Sequence, residues 1–282
     1  MRWPKDAHNW PMAELSRFVL HRPHRWHIQE GGKGKTLLLI HGAGGASQSW
    51  RGLMPLLMQS HHVVAIDLPG QGFTQLGARQ RCGLDHMAED LLALIRHQGW
   101  VPRAIIGHSA GAAIALRLAE LGVPGQVIGI NAALGTFKGV AGWLFPAMAK
   151  LLALTPFAAT IFAGSMTEQK VRSLIRGTGS VLDDAGIGLY LRLASDRAHV
   201  DGTLTMMAQW QLDGLLARLP QIETPVTLIV GETDGAVPPV TSHDAALALP
   251  TATVISLPGL GHLAHEEDPA TVAGLIRSAV VG

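Results

Sequence analysis

A serine with a glycine two residues away on each side, within 107–111, is the group in this chain best suited to nucleophilic chemistry. A predicted strand, 103–106, precedes it, and the Ala-rich run 112–119, which has the composition of a helix, follows it. So sharp a turn from strand to helix needs small neighbours, and it lifts the serine hydroxyl clear of a sheet. The sequence therefore predicts that Ser109 is a nucleophile at the N-terminus of a helix.

A serine hydroxyl is a weak nucleophile until a base removes its proton, and the chain has 14 histidines that could supply one. His262 has the position that suits this role. It lies on a Gly-rich loop after the short apolar strand 252–255 and before a last helix that begins near Pro269. A histidine on such a loop can reach back over the carboxyl edge of a parallel sheet, so we predict His262 as the base.

The acid that orients the base is expected between the serine and the histidine in the sequence. The continuous apolar run 225–230 is typical of a buried parallel strand, and Asp234 follows it closely. The other usual place for the acid holds Asn131, which cannot carry the charge. Asp234 is therefore the predicted acid, with Glu232 on the same loop as its competitor.

Backbone amides are expected to stabilise the negative charge that develops on the attacked carbonyl oxygen. The apolar strand 36–40 is followed by the small residues of 41–45, whose backbone can approach a substrate closely. We predict the amides of Ala43 and Ala110 as the two donors of this oxyanion hole. Gly44 is the alternative to Ala43, because the sequence does not fix which amide points inward. Loss of one donor costs about 3 kcal/mol of transition-state stabilisation.

Strands and helices alternate in the first half of the chain, and the alternation resumes at Val226. This order predicts an α/β protein, with a mostly parallel sheet covered by helices on both faces. The segment 133–218 interrupts the alternation and has a mostly helical pattern. Because it is inserted above the carboxyl ends of the strands, we predict that it forms a helical lid over the serine. Residues 1–132 and 219–282 would then form the core.

The predicted lid contains an unusually apolar run, 139–164, in which Lys150 is the one ionisable side chain. The run is nearly long enough to cross a bilayer, but Pro146 and Pro156 interrupt it. We therefore favour two packed lid helices over a transmembrane helix, and a lid that also touches a membrane surface is the third interpretation. The large apolar side chains of this run are divided between lid packing and pocket lining: Trp143, Phe145, Met148, Phe157 and Phe162.

Together these motifs resemble those of the α/β-hydrolases along nearly the whole chain. The run 67–72, Asp-Leu-Pro-Gly-Gln-Gly, is similar to the D-x-P-G-x-G loop of that family. Gln71 stands where many members have His, which we interpret as a departure on a loop away from the catalytic residues. The resemblance implies the α/β-hydrolase fold, a triad of Ser109, His262 and Asp234, and no need for a metal or an organic cofactor.

Segments of the predicted lid and of the site resemble a narrower family, the magnesium-chelatase accessory proteins of bacteriochlorophyll biosynthesis. These segments are 177–180, 199–202, 206–210, 107–113 and 261–267. The resemblance implies a place at the magnesium-insertion stage and contact with magnesium chelatase, and it implies no particular substrate.

Two hypotheses about function follow. The first is a serine hydrolase that acts on an apolar ester-type carbonyl substrate, with a tetrapyrrole as one candidate. The alternative is a non-catalytic accessory or porphyrin-binding protein that assists magnesium chelatase. His199 and His265 are interpreted as solvated residues near the pocket mouth, from where they would reach a magnesium ion bound in a tetrapyrrole.

The composition argues against several other classes of protein. A net charge of +1 without a basic stripe argues against a nucleic-acid partner. The first ten residues lack the apolar core of a signal peptide, and Cys82 is the single cysteine. Both features favour a cytoplasmic, reducing compartment, with membrane association through the lid as the remaining alternative.

Two further patterns are interpreted as structural. His21, His24 and His27 are spaced by three, but Pro23 argues against a helix there. We predict these histidines as strand-edge residues and not as metal ligands. The Gly-rich run 31–36 lacks the first glycine of a phosphate-binding loop and precedes a strand, so it is predicted to be a hairpin turn.

Overall fold

The computed structural model describes residues 1–135 and 157–281. Within these residues, eight strands form one sheet in the order β1-β2-β4-β3-β5-β6-β7-β8. The pairs β1/β2 and β2/β4 are antiparallel, and the remaining neighbours are parallel. The strands are β1 (Ser16–His21), β2 (His24–Gly31), β3 (Thr36–Ile40), β4 (His62–Ile66), β5 (Pro102–His108), β6 (Gln126–Ile130), β7 (Val226–Gly231) and β8 (Ala252–Leu257).

From β3 onwards the described helices alternate with the strands, except between β6 and β7 and after β8, where helices follow one another. They are α1 (Leu53–Met58), α2 (Leu84–Gln98), α3 (Ala110–Glu120), α4 (Ala158–Ser165), α5 (Glu168–Gly177), α6 (Asp184–Ala194), α7 (Arg197–Gln209), α8 (Asp213–Arg218), α9 (Val240–Ala248), α10 (Ala264–Glu267) and α11 (Pro269–Val281). Short 3₁₀ turns lie at Ala13–Leu15, Ser47–Trp50, Arg79–Arg81 and Leu219–Gln221.

Helices cover both faces of the sheet because its central strands are apolar on both sides. In β3, Leu38 and Ile40 belong to the core beneath α2 and α3, whereas Leu37 and Leu39 belong to the core beneath α1 and α11. Successive side chains of a strand point to opposite faces, so a continuous apolar run fills two cores at once. The predicted α/β architecture, a mostly parallel sheet between two helical layers, is confirmed.

The described part of the predicted lid contains α4 to α8, all between β6 and β7. Most of the apolar run 139–164 lies outside the described residues, including Trp143, Phe145 and Met148. Phe157 and Phe162 are described, and their exposed fractions are 71% and 43%. No helix in the described part of the chain is long and apolar enough to cross a membrane.

The predicted hairpin turn at 31–36 is wrong. This loop joins β2 to β3, and these strands are not neighbours, because β4 lies between them in the sheet. A Gly-rich run between two apolar strands has the same local pattern in both arrangements. The order of the strands in the sheet therefore decides what the loop is.

The interpretation of His24 and His27 as strand-edge residues is also wrong, because both rings are fully buried. Nε2 of His24 lies 3.1 Å from a carboxylate oxygen of Asp90, and Nδ1 of His27 lies 2.7 Å from one of Asp67. Burial alone would raise the pKa of Asp67, but His27 and its other partners lower it to about 2. Among residues 1–135 and 157–281, no group of three or more potential ligands is suited to a metal ion.

Candidate active site

The residues predicted to do chemistry lie together at one edge of the sheet. The carboxyl ends of neighbouring parallel strands meet at such an edge, which is where ligands of open α/β sheets bind. There β3 leads into the loop 41–45, β5 into Ser109 and β6 into Asn131, while β7 leads to Asp234 and β8 to His262. The sheet thus brings together residues that are up to about 220 positions apart in the chain.

Ser109 has the strained backbone that the turn from β5 to α3 requires, with φ 52° and ψ −117°. Its amide donates to the carbonyl oxygen of Ile130 at 2.9 Å, which fixes the turn against β6. A Cβ on Gly107 would lie 2.2 Å from the Gly111 carbonyl oxygen, and one on Gly111 would lie 2.1 Å from that of Ile40. The two glycines are therefore needed for backbone contact, and the serine is left at the tip.

Asp234 is a buried carboxylate with four hydrogen-bond donors around it. Oδ1 accepts from the amides of Ala236 and Val237 at 2.8 Å each. Oδ2 accepts from Asn131 Nδ2 at 2.8 Å and lies 2.7 Å from Nδ1 of His262. A carboxylate can only accept, so Nδ1 of His262 carries a proton and its Nε2 is left as the acceptor. This is the tautomer that a general base beside a serine requires.

The competing acid, Glu232, is exposed, and its amide donates to the Leu257 carbonyl oxygen. Among the described hydrogen bonds it makes none to His262. Asn131, which cannot supply the acid itself, donates instead to Asp234. Its φ of 48° is a left-handed conformation that Asn tolerates better than most residues. The sequence indicated this hydrogen bond to Asp234 only through the position of an asparagine directly after β6.

The orientation of the loop after β3 favours Ala43 as the oxyanion donor from that loop. The Gly42 carbonyl oxygen accepts from the His41 ring at 2.7 Å and from the Gly45 amide at 3.1 Å. In a trans peptide the C=O and the next N–H point in opposite directions, so the Ala43 amide points away from those donors. Ala110, the first residue of α3, also has an amide with no partner inside its own helix.

The amide of Gly44, the alternative donor, is already in use. It donates to Oε1 of Gln71 at 2.8 Å, and Nε2 of Gln71 donates to the sulfur of Met206 at 3.2 Å. Gln71 is fully buried and contacts the loop that holds Ala43, a role that its position on a loop away from the triad residues did not indicate. Its contact partners are separated from it by 27 and 135 positions, so no local pattern in the sequence indicated them.

His199 and His265 do not lie in solvent at the pocket mouth, so that interpretation is wrong for both. His199 accepts from the Gly72 amide through Nδ1 at 3.0 Å, and its Nε2 lies 3.1 Å from the Gly44 carbonyl oxygen. His265 is fully buried, with its ring centroid 4.7 Å from that of Trp50. Burial lowers the pKa of His199 to about 4 and that of His265 to about 3, so both are neutral at pH 7.

His108 contacts both His262 and the buried ring of His265. Its Nε2 donates to the backbone carbonyl oxygen of His262 at 2.9 Å, and its ring centroid lies 4.4 Å from that of His265. Burial and the neighbouring imidazoles hold the pKa of His108 well below its ordinary value. His108 therefore supports the His262 backbone as a neutral donor and adds no positive charge beside the base.

Ser109, His262 and Ala43 line one cavity of about 180 Å³. Its apolar side is formed by Leu174 and Ile175 of α5 and by other hydrophobic groups, and no Asp, Glu, Lys or Arg lines it among the described residues. Such a cavity suits a neutral, apolar group. It is smaller than the 300–1,000 Å³ that is usual for drug-sized ligands.

One titratable pair lies directly behind the cavity. Tyr190, which lines it, donates its hydroxyl to Oε1 of Glu266 at 2.7 Å. Burial raises the pKa of Glu266 to about 8, although Nε of Arg51 lies 3.8 Å from its other oxygen. The raised pKa favours the neutral form of the Glu266 carboxyl beside Tyr190.

This fold is that of the α/β-hydrolases. The family model for the alpha/beta hydrolase fold matches residues 35–269 of the chain. The chain therefore belongs to the α/β-hydrolase fold family, as its motifs indicated.

Two relatives and one solved structure illustrate the range of the family. The chain is 45% identical over 278 residues to the magnesium-chelatase 30 kDa subunit of Rhodobacter capsulatus, covering 97% of each protein. It is 32% identical over 244 residues to the pimeloyl-[acyl-carrier protein] methyl ester esterase of Methylococcus capsulatus, covering 80% of this chain and 87% of the esterase. The crystal structure of a thermophilic esterase from Thermogutta terrifontis superimposes with a TM-score of 0.73 at 20% identity, over 94% of this chain and 98% of that one.

Proposed function

We propose that this protein is a serine hydrolase that cleaves an ester-type carbonyl compound. Ser109 Oγ attacks the carbonyl carbon while Nε2 of His262 takes its proton, and the amides of Ala43 and Ala110 hold the oxyanion. The intermediate collapses when His262 returns that proton to the leaving alcohol, which leaves an acyl-serine. Water, deprotonated by the same nitrogen, then releases the acid and restores Ser109.

The observation that carries this proposal is the 2.7 Å contact between Asp234 and Nδ1 of His262, beside a cavity that Ser109 also lines. A protein that only binds a ligand has no need for a buried carboxylate that orients a histidine on a strained serine turn. The mechanism needs no metal or organic cofactor, because the nucleophile, the base and the oxyanion donors are all groups of the chain.

The substrate that suits the cavity is neutral and apolar at its reacting end. The lining offers apolar side chains and neutral polar groups, and the Glu266 carboxyl behind it is held neutral by burial. The esterase named among the relatives supports an ester over other carbonyl compounds. In this proposal the segment 133–218 acts as the lid that covers the reacting group.

The biological setting that we propose is the magnesium-insertion stage of bacteriochlorophyll synthesis, beside magnesium chelatase. Near full-length identity of 45% to a protein named as a magnesium-chelatase subunit supports this setting. In this proposal a tetrapyrrole ester would place its small ester group in the cavity, which has a volume of about 180 Å³. The proposed location is the cytoplasm, with peripheral membrane contact through the lid.

The second candidate function is that of an accessory protein without catalysis, which holds a porphyrin or contacts the chelatase. The word "subunit" in the name of the Rhodobacter relative favours it. Titration of protoporphyrin and of its magnesium form, with tryptophan fluorescence as the readout, tests the porphyrin part. If neither ligand binds below about 100 μM, equivalent to roughly 5.5 kcal/mol, porphyrin binding is excluded as the role.

A fluorophosphonate probe distinguishes the two candidates directly, because it reacts with activated serines. We expect a single adduct on Ser109, located by peptide mass spectrometry, and none in Ser109→Ala. Ser49 is the matched control: it lines the same cavity, but its hydroxyl donates to the Ala46 carbonyl oxygen. Ser49→Ala should label at the wild-type rate. A folded wild-type protein that takes up no probe would refute the hydrolase and leave the accessory role.

A further inference from the structure

The Gly44 residue of the oxyanion loop is held from both sides by side chains that lie outside the loop. Oε1 of Gln71 accepts from its amide at 2.8 Å, and Nε2 of His199 donates to its carbonyl oxygen at 3.1 Å. The other ring nitrogen of His199 accepts from the Gly72 amide at 3.0 Å, which fixes the tautomer of the ring. Both side chains are buried, so these bonds do not compete with bulk water.

The loop needs such support because it has almost no side chains of its own. Gly42, Gly44 and Gly45 leave one methyl group, that of Ala43, in the four residues, and Gly44 has a φ of 80°. Glycine loses more conformational freedom on ordering than any other residue, so the sequence of the loop does not itself define one conformation. The hydrogen bonds with Gln71 and with His199 of α7 hold the loop in a single conformation.

The groups that hold Gly44 are themselves anchored on α7. Nε2 of Gln71 donates to the sulfur of Met206, which lies on that helix as His199 does. The backbones also meet directly, because a Cβ on Gly202 would lie 2.3 Å from the Gly70 carbonyl oxygen. Helix α7 belongs to the segment between β6 and β7, yet it is packed tightly against the loop that follows β4.

We propose that Gln71 and His199 are positioning residues that hold the Gly42–Gly45 loop so that the Ala43 amide faces the oxyanion. Neither side chain touches the reacting atoms. Gln71 acts through the Ala43–Gly44 peptide group and His199 through the Gly44–Gly45 peptide group. The inference rests on the proposed hydrolase function and adds that α7 contributes to the rate of the chemical step as well as to covering the site.

Gln71→Met tests the arrangement, because Met has nearly the same length but offers the Gly44 amide only a thioether sulfur, which is a much weaker acceptor than an amide oxygen. We expect kcat for a p-nitrophenyl ester to fall by about 10-fold to 100-fold with KM nearly unchanged, below the 10²–10³ lost when a donor is deleted outright. Gln71→His should restore most of the rate, since its Nε2 is as far from the backbone as Oε1 of Gln. Thr205→Val is the control, because it removes a hydrogen bond between α7 and Arg79 and leaves the contacts of Gln71, His199 and Gly44 in place.

A trifluoromethyl ketone separates positioning from general damage, because its tetrahedral adduct places an oxyanion on the same amides. Its affinity should fall in Gln71→Met by the same factor as kcat/KM, and it should stay within about twofold of wild type in Thr205→Val. The proposal would be overturned if inhibitor affinity and kcat/KM fell equally in both variants, or if Gln71→Met raised KM and left kcat unchanged.

Hydrogen exchange tests the contact without using activity. In protein labelled with ¹⁵N-glycine, the Gly44 amide should be protected in wild type and in Thr205→Val, and should exchange faster in Gln71→Met. An unprotected Gly44 amide in wild type would refute the contact itself. A wild-type protein that is inert towards esters and probes would refute the hydrolase and the positioning role together, while the exchange data would still decide whether the loop is held.

Discussion

Replacing Asp234 with Asn changes one oxygen to an NH₂ group and leaves the shape of the side chain unchanged. The amides of Ala236 and Val237 both need an acceptor, so the remaining oxygen stays with them. The new NH₂ group must then take the place of Oδ2, where it faces Nδ2 of Asn131 and Nδ1 of His262. Asn131 can turn its amide, because its own oxygen is buried without a partner among the described residues.

His262 relieves the remaining conflict by moving its proton from Nδ1 to Nε2. Nδ1 then accepts from the new NH₂ group, where it previously donated to Oδ2, and the fold loses little. The ring can no longer accept the proton of Ser109, because Nε2 now carries one. The same change in other serine triads lowers kcat by about 10⁴, which corresponds to about 5.4 kcal/mol of transition-state stabilisation. We expect a loss of this size for Asp234→Asn.

The assay is kcat/KM for a p-nitrophenyl ester, together with urea unfolding to show that the variant is folded. Glu232→Gln is the matched control: the residue lies on the same loop but is exposed, so its rate should stay within about twofold of wild type. Asp234→Asn that kept a tenth of the activity or more would refute the reasoning. A large loss in Glu232→Gln with little loss in Asp234→Asn would show that Glu232 is the acid.

Three further predictions concern stability, measured by urea unfolding. Burial lowers the pKa of His265 to about 3, so below pH 6.5 the unfolded chain binds a proton that the folded chain does not. As the pH falls from 7 to 5, the free energy of unfolding of His265→Phe should therefore rise by about 2 kcal/mol relative to that of wild type. Burial raises the pKa of Glu266 to about 8, so above pH 4.5 the unfolded chain releases a proton that the folded chain keeps, and the fold loses stability. As the pH rises from 5 to 8, the free energy of unfolding of Glu266→Gln should therefore rise by about 3 kcal/mol relative to that of wild type. A relative stability that does not change with pH would contradict either expectation. Gly202→Ala places a Cβ 2.3 Å from the Gly70 carbonyl oxygen and should cost about 1–3 kcal/mol, whereas Gly188→Ala, in open space, should cost nothing.

The core of the sheet was predictable because its signal is local. The run 36–40 forms β3 within the predicted bounds, and 126–130 forms β6 in the same way. Each run is continuous and apolar because both faces of a central parallel strand are covered, so its residues need no distant partner to be recognised. The turn around Ser109 is local too, since Gly107 and Gly111 belong to the same short stretch as the strand end and the helix start.

The polar residues that support the site were not predictable, because their partners are remote in sequence. His27 has the pattern of any strand residue until Asp67, 40 positions later, is placed beside it. Gln71 looked like an ordinary loop residue, and its two partners belong to different segments of the chain. Buried polar groups need hydrogen bonds, but a sequence does not say which distant group supplies them.

This difference explains why the chemistry of the site could be inferred more readily than its substrate. The groups proposed to react lie directly after strand ends or on the short loops that follow them, so the sheet brings them to one edge. The cavity wall includes Leu174 and Ile175 of α5, and the support of the oxyanion loop includes α7, so the segment between β6 and β7 reaches both. Changes in that segment would therefore alter rate and selectivity together. A relative that differs from this chain mainly between β6 and β7 should retain the labelled serine while differing in kcat as well as in the esters it accepts.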